Sequence, residues 1–375
     1  MRYAHRPVTG RITKRGWLTL VAAVVVAGVA AAPSTAASHR HRHHGHDLRV
    51  HQRNLVADRP GHAILTDPNL VNAWGLAFGP STPAWVADNG TDVATLYRGA
   101  TSTTPQPSRL PLVVSIPQGA PTGAVWNGGA GFTVHSGSAS GPALFLFSSE
   151  AGIISGWSPD VPVPGSTEAQ VGATVPGAIF KGLAIADTKD GPRLYATDFH
   201  NGRVDVWNDM FQPAGKPGAF TDSHIPKGYA PFGIQTVGRR IVVTYAKQDA
   251  AAEDDVHGPG FGFVDVYNTS GKLLRRLVSR GPLNAPWGIA LAPKHFGGAS
   301  RDLLIGNFGN GRIHAFNPRN GRFLGALRAH GHKLKIDGLW ALEFGNGVIG
   351  NRNTLLFTAG PDDESHGLFG ALTAR

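Results

Sequence analysis

The sequence predicts an all-β, six-bladed β-propeller. One apolar phrase recurs six times at intervals near 50 residues, apolar and polar residues alternate after it, and no long 3.6-residue amphipathic period is present. The phrase is Asn72-Ala73-Trp74-Gly75-Leu76-Ala77-Phe78. It returns as Pro121-Thr122-Gly123-Ala124-Val125, Phe180-Lys181-Gly182-Leu183-Ala184, Ala230-Pro231-Phe232-Gly233-Ile234, Ala285-Pro286-Trp287-Gly288-Ile289-Ala290 and Leu339-Trp340-Ala341-Leu342-Glu343-Phe344. Aligned on Gly75, Gly123, Gly182, Gly233, Gly288 and Ala341, the units stand 48, 59, 51, 55 and 53 residues apart. A period of this length marks stacked supersecondary units.

Within a unit the phrase is followed by a second apolar run that ends in polar residues, as in Ala84–Asp88, Leu194–Asp198 and Leu303–Asn307. A third run then alternates with period two, as in Arg203–Trp207 and Arg312–Phe316, the pattern of a half-buried strand. Asn201-Gly202 and Asn310-Gly311 lie between the second and third runs, where a tight turn needs residues that tolerate positive φ. Each unit is therefore an antiparallel meander, with blades beginning near residues 67, 117, 176, 225, 281 and 331. The sixth unit stops one strand short at the C-terminus, and the extended segment Arg49–Val56 has no unit of its own. Adding that segment to the last blade as its outer strand closes the ring.

Residues 1–37 read as a secretory signal: Arg2, Arg6, Arg11, Lys14 and Arg15 precede the apolar run Leu18–Ala32 and a small-residue cleavage site. The apolar run is too short to span a bilayer, so cleavage leaves no membrane span and the chain is exported, secreted or held at the cell surface. Residues 38–48 form a His/Arg-rich linker, and residues 49–375 are the propeller. His39, His41, His43, His44 and His46 are candidate ligands for Zn²⁺, Cu²⁺ or Ni²⁺; a solvated low-complexity linker, which needs no partner and no packing, is the simpler reading. The net charge of +10 resides mainly at this end: residues 1–53 hold nine Lys or Arg against the single acid Asp47, leaving +2 for the rest. A near-neutral body without a basic stripe excludes a nucleic-acid partner. Cysteine is absent, so thiol nucleophiles and thiolate metal sites are excluded too. The expected state is a monomer.

In a propeller the loop after each second strand and the loop leading into the next blade share one face. Their polar residues converge on one channel mouth. The ligand-binding candidates are Asp88, Asn89, Lys181, Asp198, His200, Tyr245, Lys247, Asn284 and Asn307. The metal candidates are Asp249, Asp254, Asp255, Asp337, Asp362, Asp363, Glu364 and His366, oxygen-rich residues suited to Ca²⁺ or another divalent ion. Asp and Asn before Gly also serve as turn formers, which is the simpler role for any single one. The long segment Gln248–Gly260 is expected to be a lid or an acidic cation site. Trp74, Phe180, Phe232, Trp287 and Trp340 are expected to wedge between blades.

The strings Asp67-Pro68-Asn69-Leu70-Val71-Asn72-Ala73-Trp74-Gly75-Leu76, Thr244-Tyr245-Ala246-Lys247-Gln248-Asp249 and Thr358-Ala359-Gly360-Pro361-Asp362-Asp363-Glu364 resemble an uncharacterised group of exported bacterial propeller proteins. That group is itself similar to NHL-repeat and gluconolactonase-like propellers. The resemblance implies the six-bladed fold. Two functions follow: an extracytoplasmic binding propeller whose acid- and Asn-rich mouth meets a small ligand, glycan or protein, or a divalent-metal-dependent hydrolase or lactonase at the same mouth. The metal-binding glutamate of the lactonase-like propellers has no counterpart in position, Glu150 being the nearest.

Overall fold

A computed structural model describes residues 47–375; the predicted signal segment and the five tail histidines lie outside the described residues. Six antiparallel sheets follow one another along the chain. Their innermost strands are Ala73–Ala77, Pro121–Trp126, Phe180–Thr188, Tyr229–Val237, Pro286–Leu291 and Leu339–Phe344. Each inner strand contacts the next, and the sixth contacts the first, so the ring is closed. Apolar clusters fill the spaces between successive blades, and no α-helix is present among the described residues.

The repeated glycine has a packing reason. A side-chain carbon on Gly233 would stand 2.1 Å from the Trp287 carbonyl oxygen of the next blade, and one on Gly288 would stand 2.5 Å from that of Trp340. Only a residue without Cβ lets the inner strands approach this closely. Second-strand hydroxyls join neighbouring blades at the same level: Thr197 Oγ1 donates to the Phe232 carbonyl (2.8 Å) and Thr358 Oγ1 to that of Trp74 (2.5 Å).

Closure occurs where the sequence places it. Strand Val50–Ala57 pairs antiparallel with Leu368–Ala374 and forms the outer strand of blade six, beside Thr354–Ala359 and Leu339–Phe344. Leu48, assigned by sequence to the linker, is buried with Val50 in the cluster between blades five and six. Blade three departs from the pattern with three strands, its outer edge meeting only a short segment in which the Ala214 amide donates to Val206. Two small hairpins are inserted, Thr133–Ser136 with Ala139–Pro142 and Arg328–Ala329 with His332–Lys333. The repeat pattern gives no signal for either.

Candidate functional site

The residue preceding each repeat glycine, or Ala341 in blade six, is Trp74, Thr122, Lys181, Phe232, Trp287 or Trp340. In four of the six the side chains meet across the axis. Trp74 stacks on Trp340 with centroids 3.7 Å apart, Trp287 lies edge-on to both, and Phe232 lies 6.0 Å from Trp340. Blades one and five, like blades four and six, are not neighbours, so these contacts span the channel. The aromatics thus plug it, where the sequence suggested wedges between blades. Phe180, one residue out of this register, does pack in the cluster between blades two and three, against Trp207. A one-residue shift along a strand turns a side chain to the opposite face.

Above the plug, the mouth opens into a cavity of about 580 Å³. Its floor is Trp74 and Trp340, with Phe308 stacked 3.9 Å from Trp340 at one side. Asp254, Asp255, Asp337, Asp363 and Glu364 bring acid to the walls, and Lys181, Arg312 and Lys335 bring base. Lys181 occupies the plug position in blade three, with its ammonium group 5.3 Å from the Trp74 ring. It donates to Glu150 Oε1 (2.5 Å) and Asp254 Oδ1 (3.0 Å). Burial disfavours its charge, but the two carboxylates outweigh that and hold the ammonium above the usual lysine range.

A belt of hydrogen bonds runs round the mouth through five blades. Asn72 Nδ2 donates to Glu364 Oε2 (2.6 Å) and Asn89 Oδ1 (3.1 Å), and Asn89 Nδ2 donates to Glu150 Oε2 (3.1 Å), which leads to Lys181 and Asp254. Trp340 Nε1 donates to Asn72 Oδ1 (2.9 Å) and so ties the plug to the belt. The Trp74 indole N–H, by contrast, is buried without a partner among the described residues. Glu364 ends three consecutive residues in the left-handed region, Asp362, Asp363 and Glu364, with φ of 55°, 52° and 64°. For residues with a Cβ this costs roughly 1–2 kcal/mol each, and such strain collects at functional sites. Burial pushes the Glu364 carboxyl up to about 7, with Asn72 and then Lys181 pulling it down.

That shift has a sign that can be tested. A carboxyl held above its unfolded value of about 4.3 favours the folded state fully below that value, and the benefit is lost as pH rises through about 7. Stability is expected to decline between these limits. Glu364→Gln should make the decline shallower, the rest of it coming from Asp88, Asp205, Asp265 and Glu343, whose carboxyls burial also raises. Denaturant melts at stepped pH check this; identical slopes in the two proteins would refute it.

Of the residues singled out in the sequence, Lys181, Asp254, Asp255, Asp337, Asp363 and Glu364 line the cavity, and Asn89 joins the belt behind them. Others lie inside the blades rather than at the mouth. Asp88 is buried and accepts from Thr95 Oγ1 (2.6 Å), and burial pushes its carboxyl well up. Asp198 accepts from Asn201 Nδ2 (2.8 Å), and Tyr245 shares a 2.6 Å hydrogen bond with Tyr267. Asn307 donates to the Pro282 carbonyl (2.9 Å), and Asn284 accepts from the Gly258 amide (2.7 Å). Lys247 lies over the Phe261 ring, and the exposed His200 does not line the cavity. Asp362 pairs with Arg59 (2.8 Å) and His366 with Asp58 (2.6 Å), both outside the cavity lining.

The long blade-four segment is folded rather than open. Asp255–Val256 pairs with Lys247–Gln248, Asp249 accepts from the Glu253 amide (2.9 Å), and Asp254 at the turn reaches Lys181. Asp255 pairs with His257 (3.1 Å), and that hydrogen bond raises the imidazole above its usual range. The acids at the mouth are thus divided among separate partners. Among the described residues no three His, Asp or Glu side chains converge on a point where a metal ion would sit. Trp74, Trp340, Asn72 and Phe308 were not among the sequence candidates. The register of the residue before each repeat glycine, or Ala341, was the available signal for Trp74 and Trp340; Asn72 and Phe308 carried none.

No family model matches the chain. It is 34% identical over 332 residues to an uncharacterised protein of Acanthamoeba polyphaga mimivirus, covering 85% of this chain and 78% of that protein. A second uncharacterised protein of the same virus is 32% identical over 329 residues, covering 85% and 84%. These relatives are viral, whereas the sequence strings suggested a bacterial group. A solved structure assigned as a gluconolactonase aligns with 86% of this chain and 92% of its own, at 14% identity and a TM-score of 0.51, a likeness of fold alone.

Proposed function

Because this chain belongs to the same family as the two uncharacterised mimivirus proteins, we propose its function from its own geometry: it is a binding propeller whose mouth cavity takes a small, neutral, hydroxyl-rich ligand. The observation that carries this is the Trp74 N–H, a covered donor without an acceptor among the described residues, on a ring that floors a cavity walled by carboxylates and by Lys181, Arg312 and Lys335. A buried donor left unpaired costs about 1–3 kcal/mol, which a ligand oxygen recovers once a small shift of the ring uncovers the N–H. The carboxylates need donors in turn. A hydroxyl group both accepts and donates, so it answers floor and wall together. The volume lies within the range of small-molecule sites, about 300–1,000 Å³. The Arg-rich, apolar first 37 residues support a meeting with this ligand outside the cytoplasm.

The test is calorimetric titration with neutral monosaccharides and inositol, using a sugar acid and an amino sugar as charged comparators. A neutral polyol is expected to bind best. Trp74→Phe, which keeps a ring and removes the N–H, should weaken binding roughly tenfold while leaving the melting temperature unchanged or slightly raised. Equal binding by Trp74→Phe, or no binding by any neutral polyol, would overturn the reading.

A second reading, hydrolysis of a lactone or ester at the same mouth, is favoured by Glu364. A carboxyl near 7 on a cavity wall suits general acid–base transfer at neutral pH. Turnover of an aldonolactone, measured with and without added Ca²⁺, would support it if Glu364→Gln abolishes the activity.

A further inference from the structure

The opposite end of the channel carries a second cavity, of about 160 Å³. It lies at the C-terminal ends of the inner strands, and Leu76, Val125 and Ile185 give it apolar walls. One carboxyl lines it, that of Glu343 in blade six, together with the indole of Trp126 in blade two. Among the described residues no other ionisable side chain is part of the lining. The Trp126 ring is held in place by two glycines: a side-chain carbon on Gly79 would stand 2.5 Å from it, and one on Gly128 2.6 Å. Glu343 Oε2 accepts from Gln235 Nε2 of blade four (2.9 Å), the single side-chain partner of a group whose two oxygens offer about four acceptor positions.

A carboxylate in apolar surroundings with so few donors is costly to charge. Burial accordingly pushes Glu343 up to about 7, with Gln235 and the Phe344 amide pulling it down. A cation placed beside it removes that cost and makes a charge-assisted hydrogen bond. An indole flanking the same space adds attraction for a cation, and the walls exclude water from an alkyl chain. An anion finds no positive charge here.

The geometry points to a second ligand site at this end of the channel, for a small primary alkylammonium ion seated between Glu343 and Trp126. The volume matches a cavity of about 150 Å³ that accommodates a benzene-sized molecule, so a chain of about three or four carbons fits. The plug of Trp74, Trp287 and Trp340 lies between this site and the mouth cavity, so the two sites bind independently.

The test is titration of the full chain with propylammonium chloride near pH 6.5, with propan-1-ol as the neutral isostere and sodium chloride matching ionic strength. Propylammonium is expected to saturate one site, to release protons as Glu343 ionises, seen as a buffer-dependent heat, and to change a fluorescence component absent from Trp126→Phe. Propan-1-ol should bind at least about tenfold more weakly, the loss of one charge-assisted hydrogen bond. Glu343→Gln, which keeps the shape and the Gln235 contact, should lose binding by a similar factor and leave the melting temperature unchanged or raised. Trp74→Phe should leave this binding unchanged. Equal affinity for the alcohol, or undiminished binding by Glu343→Gln, would overturn the assignment.

Discussion

Deleting residues 49–57 is expected to unfold most of the protein at 25 °C. This strand supplies the outer edge of blade six and carries Val50, Leu55 and Val56 into the core, all at 2% exposure or less. Burying each such side chain is worth about 1.5–3 kcal/mol, so the three together approach the 5–15 kcal/mol that a whole domain has in reserve. The deletion also exposes the ladder of Leu368–Ala374, leaving an unpaired edge open to association. Thermal melts and light scattering check both effects. The milder Leu55→Ala should cost about 2–5 kcal/mol, the usual range for a leucine cavity. A deletion variant melting within a degree or two of the parent would show that the ring closes without this strand.

Lys181→Met is the second large effect. Methionine keeps an unbranched chain of similar reach beside Trp74 but leaves Glu150 and Asp254 facing a site with no cation. The two partners are unequal. Asp254 is 77% exposed and can turn into solvent, so Asp254→Asn should cost less than about 1 kcal/mol. Glu150, 30% exposed and fixed by Asn89, has less freedom to do so. Breaking a buried pair from one side costs about 3–5 kcal/mol, and that is the expected destabilisation for Lys181→Met. Adding Glu150→Gln should restore part of it, because the stranded charge is then removed; double-mutant denaturant melts measure the coupling. A loss below 1 kcal/mol, or strict additivity, would show that Lys181 does not anchor the belt. Hydrogen exchange should also quicken in the Gln248–Gly260 segment, which loses its tether at Asp254.

Much of the fold is legible because its signals are local. Period-two alternation, Asn-Gly turns and the recurrent glycine are each contained within a few residues, and counting them yields six blades and one missing strand. Blade three and the two inserted hairpins escape because a strand's absence or addition leaves the repeat phrase intact. The site is legible to the extent that topology brings loops together: six of the acid and lysine candidates line the mouth. Asp88, Asp198, Asn284 and Asn307 stand at the right ends of strands or beside them, but a carboxylate or amide there can turn either to the channel or to its own blade. Local partners such as Thr95 and Asn201 turn them inward.

By itself, then, the sequence determined the ring, its six units and the strand that closes it, because hydrophobic period and turn chemistry act between neighbours in the chain. Only the tertiary structure decided what stands at the axis. Phe180 and Lys181 differ by one position, and strand register sends the first into the cluster between blades two and three and the second to the plug, where it meets Trp74 from across the channel. The pairing of Asn72 with Glu364 joins residues 292 apart, and no local rule relates them. Closure of the ring brings them to one mouth and fixes which polar groups are satisfied there and which, like the Trp74 N–H, have no partner among the described residues.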